Sequence, residues 1–207
     1  MSAPRILIFA KAPRAGFAKT RLIPALGAAG AAALARQMLQ HTLHQALSAG
    51  LGAVELCVTP AIEDAAWQEI DLPQGIVISN QGAGDLGERM ARAAQRAIGQ
   101  GSSAILIGSD CVEMSAALLR DAAQSLREHD AVIHRTVDGG YALLGIGRFS
   151  PLLFSDIPWS SAGVADMTRD RIGQLGWSLH LGTMLRDVDE PQDLQYLPQD
   201  WSTHAVA

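Results

Sequence analysis

The sequence predicts an α/β protein with a Rossmann-like, mainly parallel central sheet flanked by helices. Three observations predict it. Short runs that are apolar at every position, such as RILIFA (5–10) and AILIG (104–108), read as strands buried on both faces. Segments of helical period separate those runs through the first two-thirds of the chain, the signature of right-handed βαβ units. The polar, glycine-rich and charged stretches follow directly after strands, where ligands of open α/β sheets bind.

The elements follow in order. Arg5–Ala10 is a strand bounded by Pro4 and Lys11. Residues 27–49 are Ala- and Leu-rich with helical spacing and end at Gly50. Ala53–Thr59 is a strand stopped by Pro60, a short helix covers about 62–69, and Gly75–Ser79 is a third strand. Residues 80–84 (NQGAG) form a loop, and Asp85 caps a helix that runs to Ile98 with Gly101 at its exit. Ala104–Gly108 is a strand, and Ser115 caps a helix reaching about Glu128. Ala131–Arg135 and Tyr141–Ile146 are strands. A helix near 163–175, a strand at Trp177–Leu181 and a short helix opening at Pro191 complete the chain.

A chain of 207 residues with 48% hydrophobic and 18% charged content fits one globular domain spanning 1–207. The net charge of −5 gives no support to a nucleic-acid partner. The charge is unevenly placed, however. The first acid is Glu55, so residues 1–54 carry +6 and the remainder −11, which points to a local anionic ligand. Cys57 and Cys111 form no CxxC pair, which leaves disulfide and zinc readings unsupported and makes a reducing cytoplasm the expected setting. The run Ile6–Ala10 is too short for a membrane span or a signal segment.

Four places just after strands carry candidate chemistry. The first is KAPRAGFAKTRL (11–22), which holds the chain's only two lysines, Lys11 and Lys19, against fourteen arginines in the whole chain. It is neither a P-loop nor a GxGxxG fingerprint. A basic loop between a strand and a long helix suits phosphate binding, and a compact lysine reaches a crowded phosphate as a point charge. The second is GSDCVEM (108–114), where Asp110 could ligate Mg²⁺ or Mn²⁺; Glu113 is a weaker second candidate, since the spacing is not DxD. The third is TVDGGYALLGI (136–146), where Gly139–Gly140 serves either a close ligand approach or a hairpin turn. The fourth is RDVDEPQDL (186–194), where Asp189 is either a helix cap ahead of Pro191 or a second metal ligand.

These stretches, with DLGERM (85–90) and IPWSS (157–161), lie in one order along nearly the whole chain. Together they resemble the bacterial GT-A-like transferases related to 2-phospholactate guanylyltransferase, a branch of the nucleotide-diphospho-sugar transferase superfamily. The resemblance implies a single GT-A domain. It implies a nucleotide-phosphate loop of Lys11, Arg14, Gly16, Lys19 and Arg21, with Gln81 and Gly87 near base and ribose. It implies a metal pair of Asp110 and Asp189 for Mg²⁺ or Mn²⁺. It implies an acceptor side of Asp138, Gly139, Gly140, Tyr141, Trp159 and Ser160, with Lys19, Asp110 and Asp138 catalytic. The sequence departs from the family pattern at Val112, where proline is usual, at His134–Thr136, where Gly-Pro-Ala is common, and at Ser161, where threonine is frequent.

Other residues read as structural. His41 and His44 face solvent on the first long helix without a third ligand. Cys111, beside Asp110, has a carboxylate that disfavours its thiolate. Trp67, Trp177 and Trp201 read as packing. Three functions remain. One is metal-assisted nucleotidyl transfer from a nucleoside triphosphate to a small phosphorylated or acidic acceptor. Another is glycosyl transfer from a nucleotide-sugar donor to a small-molecule acceptor. The last is non-catalytic nucleotide binding. Four cations within eleven residues, and the missing DxD, favour the first.

Overall fold

The protein was analysed as a computed structural model, which describes residues 3–201. Seven strands make one sheet: β1 (Arg5–Lys11), β2 (Val54–Thr59), β3 (Ile76–Asn80), β4 (Ala104–Gly108), β5 (Ala131–Arg135), β6 (Tyr141–Ile146) and β7 (Leu179–Leu181). Their spatial order is β3-β2-β1-β4-β6-β5-β7, with β1 inside the sheet between β2 and β4. β1, β2, β3 and β4 run parallel, and β7 is parallel to β5. Only β6 runs against its neighbours β4 and β5. The Asp-Gly-Gly stretch is therefore a hairpin turn, closed by Thr136 N–H on Gly140 O at 2.9 Å with Gly139 at φ +92°.

Four helices cover the sheet: α1 (Ile23–Ser48), α2 (Leu86–Gly99), α3 (Ala116–Ser125) and α4 (Val164–Gln174). The alternation of β1 shows why its strand reads as wholly apolar. Ile6 and Ile8 join the core under α1 and α3 with Leu39, Leu43, Leu119 and Ala122. Leu7 faces the other way, to Met90, Ala93 and Ala97 of α2 and Ile172 of α4. Burial on both faces leaves no polar side to alternate with. α1 begins one turn earlier than the sequence suggests; Gly27, at φ 69°, breaks that first turn from the rest. By length and composition Thr20–Ser48 would suffice to cross a membrane, yet Leu34, Met38, Leu39, Leu43 and Ala46 are buried within this fold.

The segments expected as helices near 62–69 and after Pro191 are short 3-10 turns, Ala65–Trp67 and Pro191–Tyr196. The caps fall as the sequence indicates. Asp85 and Glu88 form a reciprocal capping box on α2, and Ser115 accepts from Leu118 N–H on α3. Trp67 and Trp201 are buried, and Trp67 Nε1 donates to Pro60 O at 3.0 Å. His41 does not point to solvent, because its Nε2 meets Met114 O at 3.2 Å and its ring stands edge-on to Trp201.

One charged group lies inside the sheet layer. Glu55, the first acid of the chain, is 1% exposed on β2 and is paired with Arg5 at 2.9 Å and with Arg96 of α2. It also accepts from Ser79 Oγ at 2.6 Å. Burial alone would raise its pKa, but the donors Ser79, Arg5 and Arg96 outweigh that and hold it below the ordinary value. A lowered carboxylate stabilises the fold above its unfolded pKa near 4.5 and loses that contribution as pH falls through the folded value. Glu55→Gln should therefore cost about 2–4 kcal/mol at pH 7, because two arginines lose their buried partner. The gap between variant and wild type should narrow between pH 5 and pH 3. Urea denaturation across that range would measure it, and a gap independent of pH would refute the assignment.

Candidate active site

The parallel strands deliver Lys11, Thr59 and Gly108 to one edge of the sheet, and antiparallel β6 starts from the same edge at Tyr141. A cleft lies along this edge in two lobes. One lobe, about 510 Å³, is lined by Lys11, Lys19, Arg21, Gln81, Arg89 and Asp110 among others. The other, about 340 Å³, is lined by Asp138, Gly140, Tyr141, Trp159, Asp187 and the apolar Met90 and Leu106 among others. Phe9, Arg21, Leu86, Ser160 and Asp189 border both lobes. The residues expected to hold phosphates and those expected to hold an acceptor thus fall mainly on opposite lobes of one cleft.

Lys19 stands where the lobes meet the acids. Its Nζ donates to Asp189 Oδ1 at 2.6 Å and lies 3.0 Å from Asp110 Oδ1. The lysine side chain is 6% exposed, while the two carboxylates are about half exposed, so the ammonium sits beneath an acidic rim. Burial pulls its pKa down, but the charges of Asp110 and Asp189 outweigh burial and raise it. Lys19 also adopts a left-handed backbone, φ 48° and ψ 44°, a conformation that a non-glycine residue holds only at some cost. Leu22, three residues on, is fully buried with Leu34, Met38, Val188 and Trp201, which anchors this turn.

Val188 places the other acids. Its side chain is 0% exposed in the same cluster, and its N–H donates to Asp110 O at 3.0 Å. In an extended segment the residues on either side of Val188 share the opposite face, so Asp187 and Asp189 both turn to the cleft. Asp189 is free to do so because Glu190 and Asp193, not Asp189, cap the turn after Pro191. Asp110 is free because Ser115 caps α3. Glu113 turns away to accept Arg186 N–H at 2.8 Å. Asp138 is fixed through one oxygen, Oδ1, which accepts from Thr136 Oγ1 at 2.5 Å and Gly140 N–H at 3.1 Å.

Asp187, which the sequence shows only as a second carboxylate ahead of Pro191, lines the cleft as well. Its pKa is pushed up to about 7, first by burial and then by Asp110, Asp138 and Asp189, against the pull of Lys19. The Asp-Val-Asp alternation around an apolar residue was the available signal. Two carboxylates thus touch one buried lysine and Asp187 stands close by, with Asp138 next to Asp187 and Arg21 at 3.8 Å from Asp189 Oδ2 and 3.5 Å from Glu190 Oε1. This surplus of hard oxygen donors fits a divalent cation of the Mg²⁺ or Mn²⁺ type. Among the described residues no three His, Cys, Asp or Glu side chains form a complete metal cage, and Mg²⁺ ordinarily needs only one or two protein carboxylates.

Other expected site residues have structural surroundings. Arg14 stacks 3.6 Å over the Phe17 ring, beside the main cleft. Gly16 carries φ 79° in the turn of that loop. Gln81 is buried and its Nε2 donates to Ala10 O at 3.1 Å and Cys57 O at 2.9 Å, tying the ends of β1 and β2. Gly87 is buried under Phe154 and Trp159; a Cβ there would lie 2.2 Å from Phe154 O and 2.6 Å from Trp159 Nε1. Gly139 is closely approached by Ala162 O, where a Cβ would fall at 2.0 Å. Ser160 holds φ 65° between the lobes. Burial foremost, and then Asp187, push the Cys111 thiol up to about 12, which leaves it unsuited to nucleophilic attack.

The strand order and the cleft at the carboxyl edge define the nucleotide-diphospho-sugar transferase class of fold. The chain belongs to a family described as an uncharacterized protein conserved in bacteria (DUF2064), whose model matches residues 42–161. A solved structure from Desulfovibrio desulfuricans G20, provisionally described as a nucleotide-diphospho-sugar transferase, is 32% identical over 97% of this chain and 88% of its own, with a TM-score of 0.88. The manganese complex of Rv0371c from Mycobacterium tuberculosis H37Rv is 18% identical, covers 95% of this chain and 98% of its own, and has a TM-score of 0.54. CMP:2-keto-3-deoxy-manno-octonic acid synthetase complexed with CTP is 13% identical over 99% of both chains, with a TM-score of 0.57. No curated protein matches the sequence.

Lys19→Ala would leave Asp110 and Asp189 facing each other without their shared cation. The half-exposed acids are screened, so the expected loss is about 1–2 kcal/mol, less than for a fully buried pair. Chemical denaturation would measure it, and an unchanged midpoint would show that the bridge is energetically idle.

Proposed function

We propose that the chain is a metal-assisted, nucleotide-dependent transferase that moves a nucleotidyl group from a nucleoside triphosphate to a small phosphorylated or acidic acceptor. The observation that carries this reading is the convergence of Asp110 and Asp189 on one buried cation at the junction of a basic lobe and an aromatic lobe. Manganese in one protein of this fold and CTP in another support it. The finer likeness to 2-phospholactate guanylyltransferases rests on the sequence motifs and belongs to the proposal, as does the extent of the domain over 1–207.

In this reading the basic lobe takes the triphosphate and the aromatic lobe takes the acceptor. Asp110 and Asp189, with Asp187 beside them, would hold a divalent metal that neutralises charge on the α- and β-phosphates. Lys19 holds the Asp110 and Asp189 carboxylates together. Arg21, on the border of both lobes, attracts negative charge on either substrate. Asp138 has one oxygen tied by Thr136 and Gly140, and its other oxygen is available to orient the acceptor or accept its proton. The acceptor oxygen attacks the α-phosphorus, the bond to the bridging oxygen breaks, and pyrophosphate leaves. A phosphate or carboxylate acceptor arrives deprotonated; a hydroxyl acceptor would pass its proton to Asp138.

Glycosyl transfer from a nucleotide-sugar is the second reading, favoured by the description of the 32% identical relative. The products separate the two, because nucleotidyl transfer releases pyrophosphate and glycosyl transfer releases a nucleoside diphosphate. A thermal-shift panel of nucleoside triphosphates and nucleotide-sugars, with and without Mg²⁺, selects the donor first; saturation at a hundred times Kd stabilises by about 2.7 kcal/mol. Asp110→Asn and Asp189→Asn should then each lower turnover on the order of 10²- to 10³-fold, several kcal/mol of transition-state stabilisation, with donor binding in EDTA little changed. Stabilisation by no nucleotide would overturn the proposal, and nucleoside diphosphate as the product would replace it with the second reading.

A further inference from the structure

The cations of the basic lobe are not equally free to bind a ligand. Lys19 is held by Asp110 and Asp189, and Arg21 faces Asp189 and Glu190. Arg14, beside the lobe and not in its lining, lies on Phe17. Two cations that line the lobe have no ion pair or hydrogen bond of their own among the described residues, Lys11 at the end of β1 and Arg89 on α2. Arg89 is half-buried, and its Nε is shut off from water with no hydrogen-bond partner. A buried donor left unmade is costly, and because the Arg89 side chain lines the cavity with no protein acceptor on it among the described residues, its guanidinium is open to a ligand's acceptor.

Its place on α2 strengthens the point. Arg89 is the fourth residue of the helix, where the helix dipole disfavours a positive charge. That helix end already carries two carboxylates, since Asp85 accepts from the Glu88 N–H and Glu88 accepts from the Asp85 N–H. The next arginines on α2 are engaged: Arg92 holds Gln81 O and Ala83 O, and Arg96 holds Glu55. Arg89 alone of the three faces the cavity without an internal task.

We propose that Arg89 is the principal anion-binding residue of the basic lobe, its guanidinium fork taking a phosphate of an oligophosphate chain while Lys11 meets the same chain from the opposite strand. The ligand class is a nucleoside di- or triphosphate, so this inference rests on the nucleotide-dependent reading above. It moves the phosphate-binding role from Lys19, whose charge is already answered by two acids, to a residue outside the basic loop. Planar two-point contact is what arginine supplies and lysine does not.

Titration calorimetry in EDTA tests it, with inorganic tripolyphosphate and with the best nucleoside triphosphate from the panel. Arg89→Gln should weaken both on the order of tenfold to a hundredfold. Arg89→Lys, which keeps the charge and loses the fork, should fall between. Lys11→Gln should weaken both by a smaller factor, and Arg127→Gln, far from the cleft, should match wild type. Unchanged melting temperatures exclude a folding defect, and Arg89→Lys carries the test if Arg89→Gln folds poorly. Wild-type affinity in both Arg89 variants would overturn the inference and leave the nucleotide reading standing. A wild-type protein that binds neither tripolyphosphate nor any nucleoside triphosphate would overturn both.

Discussion

A single lysine ammonium touching two carboxylates connects three distant parts of the chain. Lys19 belongs to the loop after the first strand, Asp110 to the end of the fourth, and Asp189 to a segment near the end of the described chain. Each is placed by something apolar: Leu22 below Lys19, the buried strand β4 before Asp110, and Val188 between Asp187 and Asp189. The charges can meet at the rim because the hydrophobic anchors are already in register beneath them. A site made this way tolerates the strained backbone of Lys19, since packing at Leu22 and the ion bridge above it hold the turn from two sides.

The basic bias of the first fifty-four residues has a different meaning in three dimensions. Arg5 answers the buried Glu55, Lys19 answers Asp110 and Asp189, and Arg21 faces Asp189 and Glu190. Half of the N-terminal positive charge is therefore matched by the protein's own acids from later in the chain. Local counts of charge describe attraction along the sequence, whereas binding depends on what is left after the fold has paired its ions. Of the N-terminal cations left over, Lys11 lines the cleft, where Arg89 from later in the chain joins it.

Much of this was legible beforehand because the relevant signals are local. Wholly apolar runs located β1, β4 and β6, and the caps at Asp85 and Ser115 started α2 and α3 where Ser, Asp and Glu spacing indicated. The rule that ligands bind beyond strand ends pointed to Asp110, Asp138 and Asp189, and all three line the cleft. The residues that escaped depend on long-range facts. The sequence names Gln81 and Gly87 but not their packing: Gln81 ties two strand ends and Gly87 makes room for Trp159 and Phe154, contacts that no spacing reveals, while two further residues went without a role. Asp187 and Arg89 each broke a small rule that could have exposed them. One repeated an acid across a buried valine, and the other put a positive charge near a helix start.

The separation of the bridging residues also bears on how the protein is made. Lys19 and Asp189 are 170 positions apart, which at ordinary ribosomal speeds of 5–20 residues per second is roughly 10–30 s of synthesis. Lys11, Gln81 and Arg89 emerge before Asp110, and the polar and aromatic face of the other lobe from Asp138 to Val164 follows. Asp189 arrives after all of them. A nascent chain can therefore hold most of its sheet while Lys19 still lacks one of its two carboxylates, and the cleft is complete only once Asp189 has emerged.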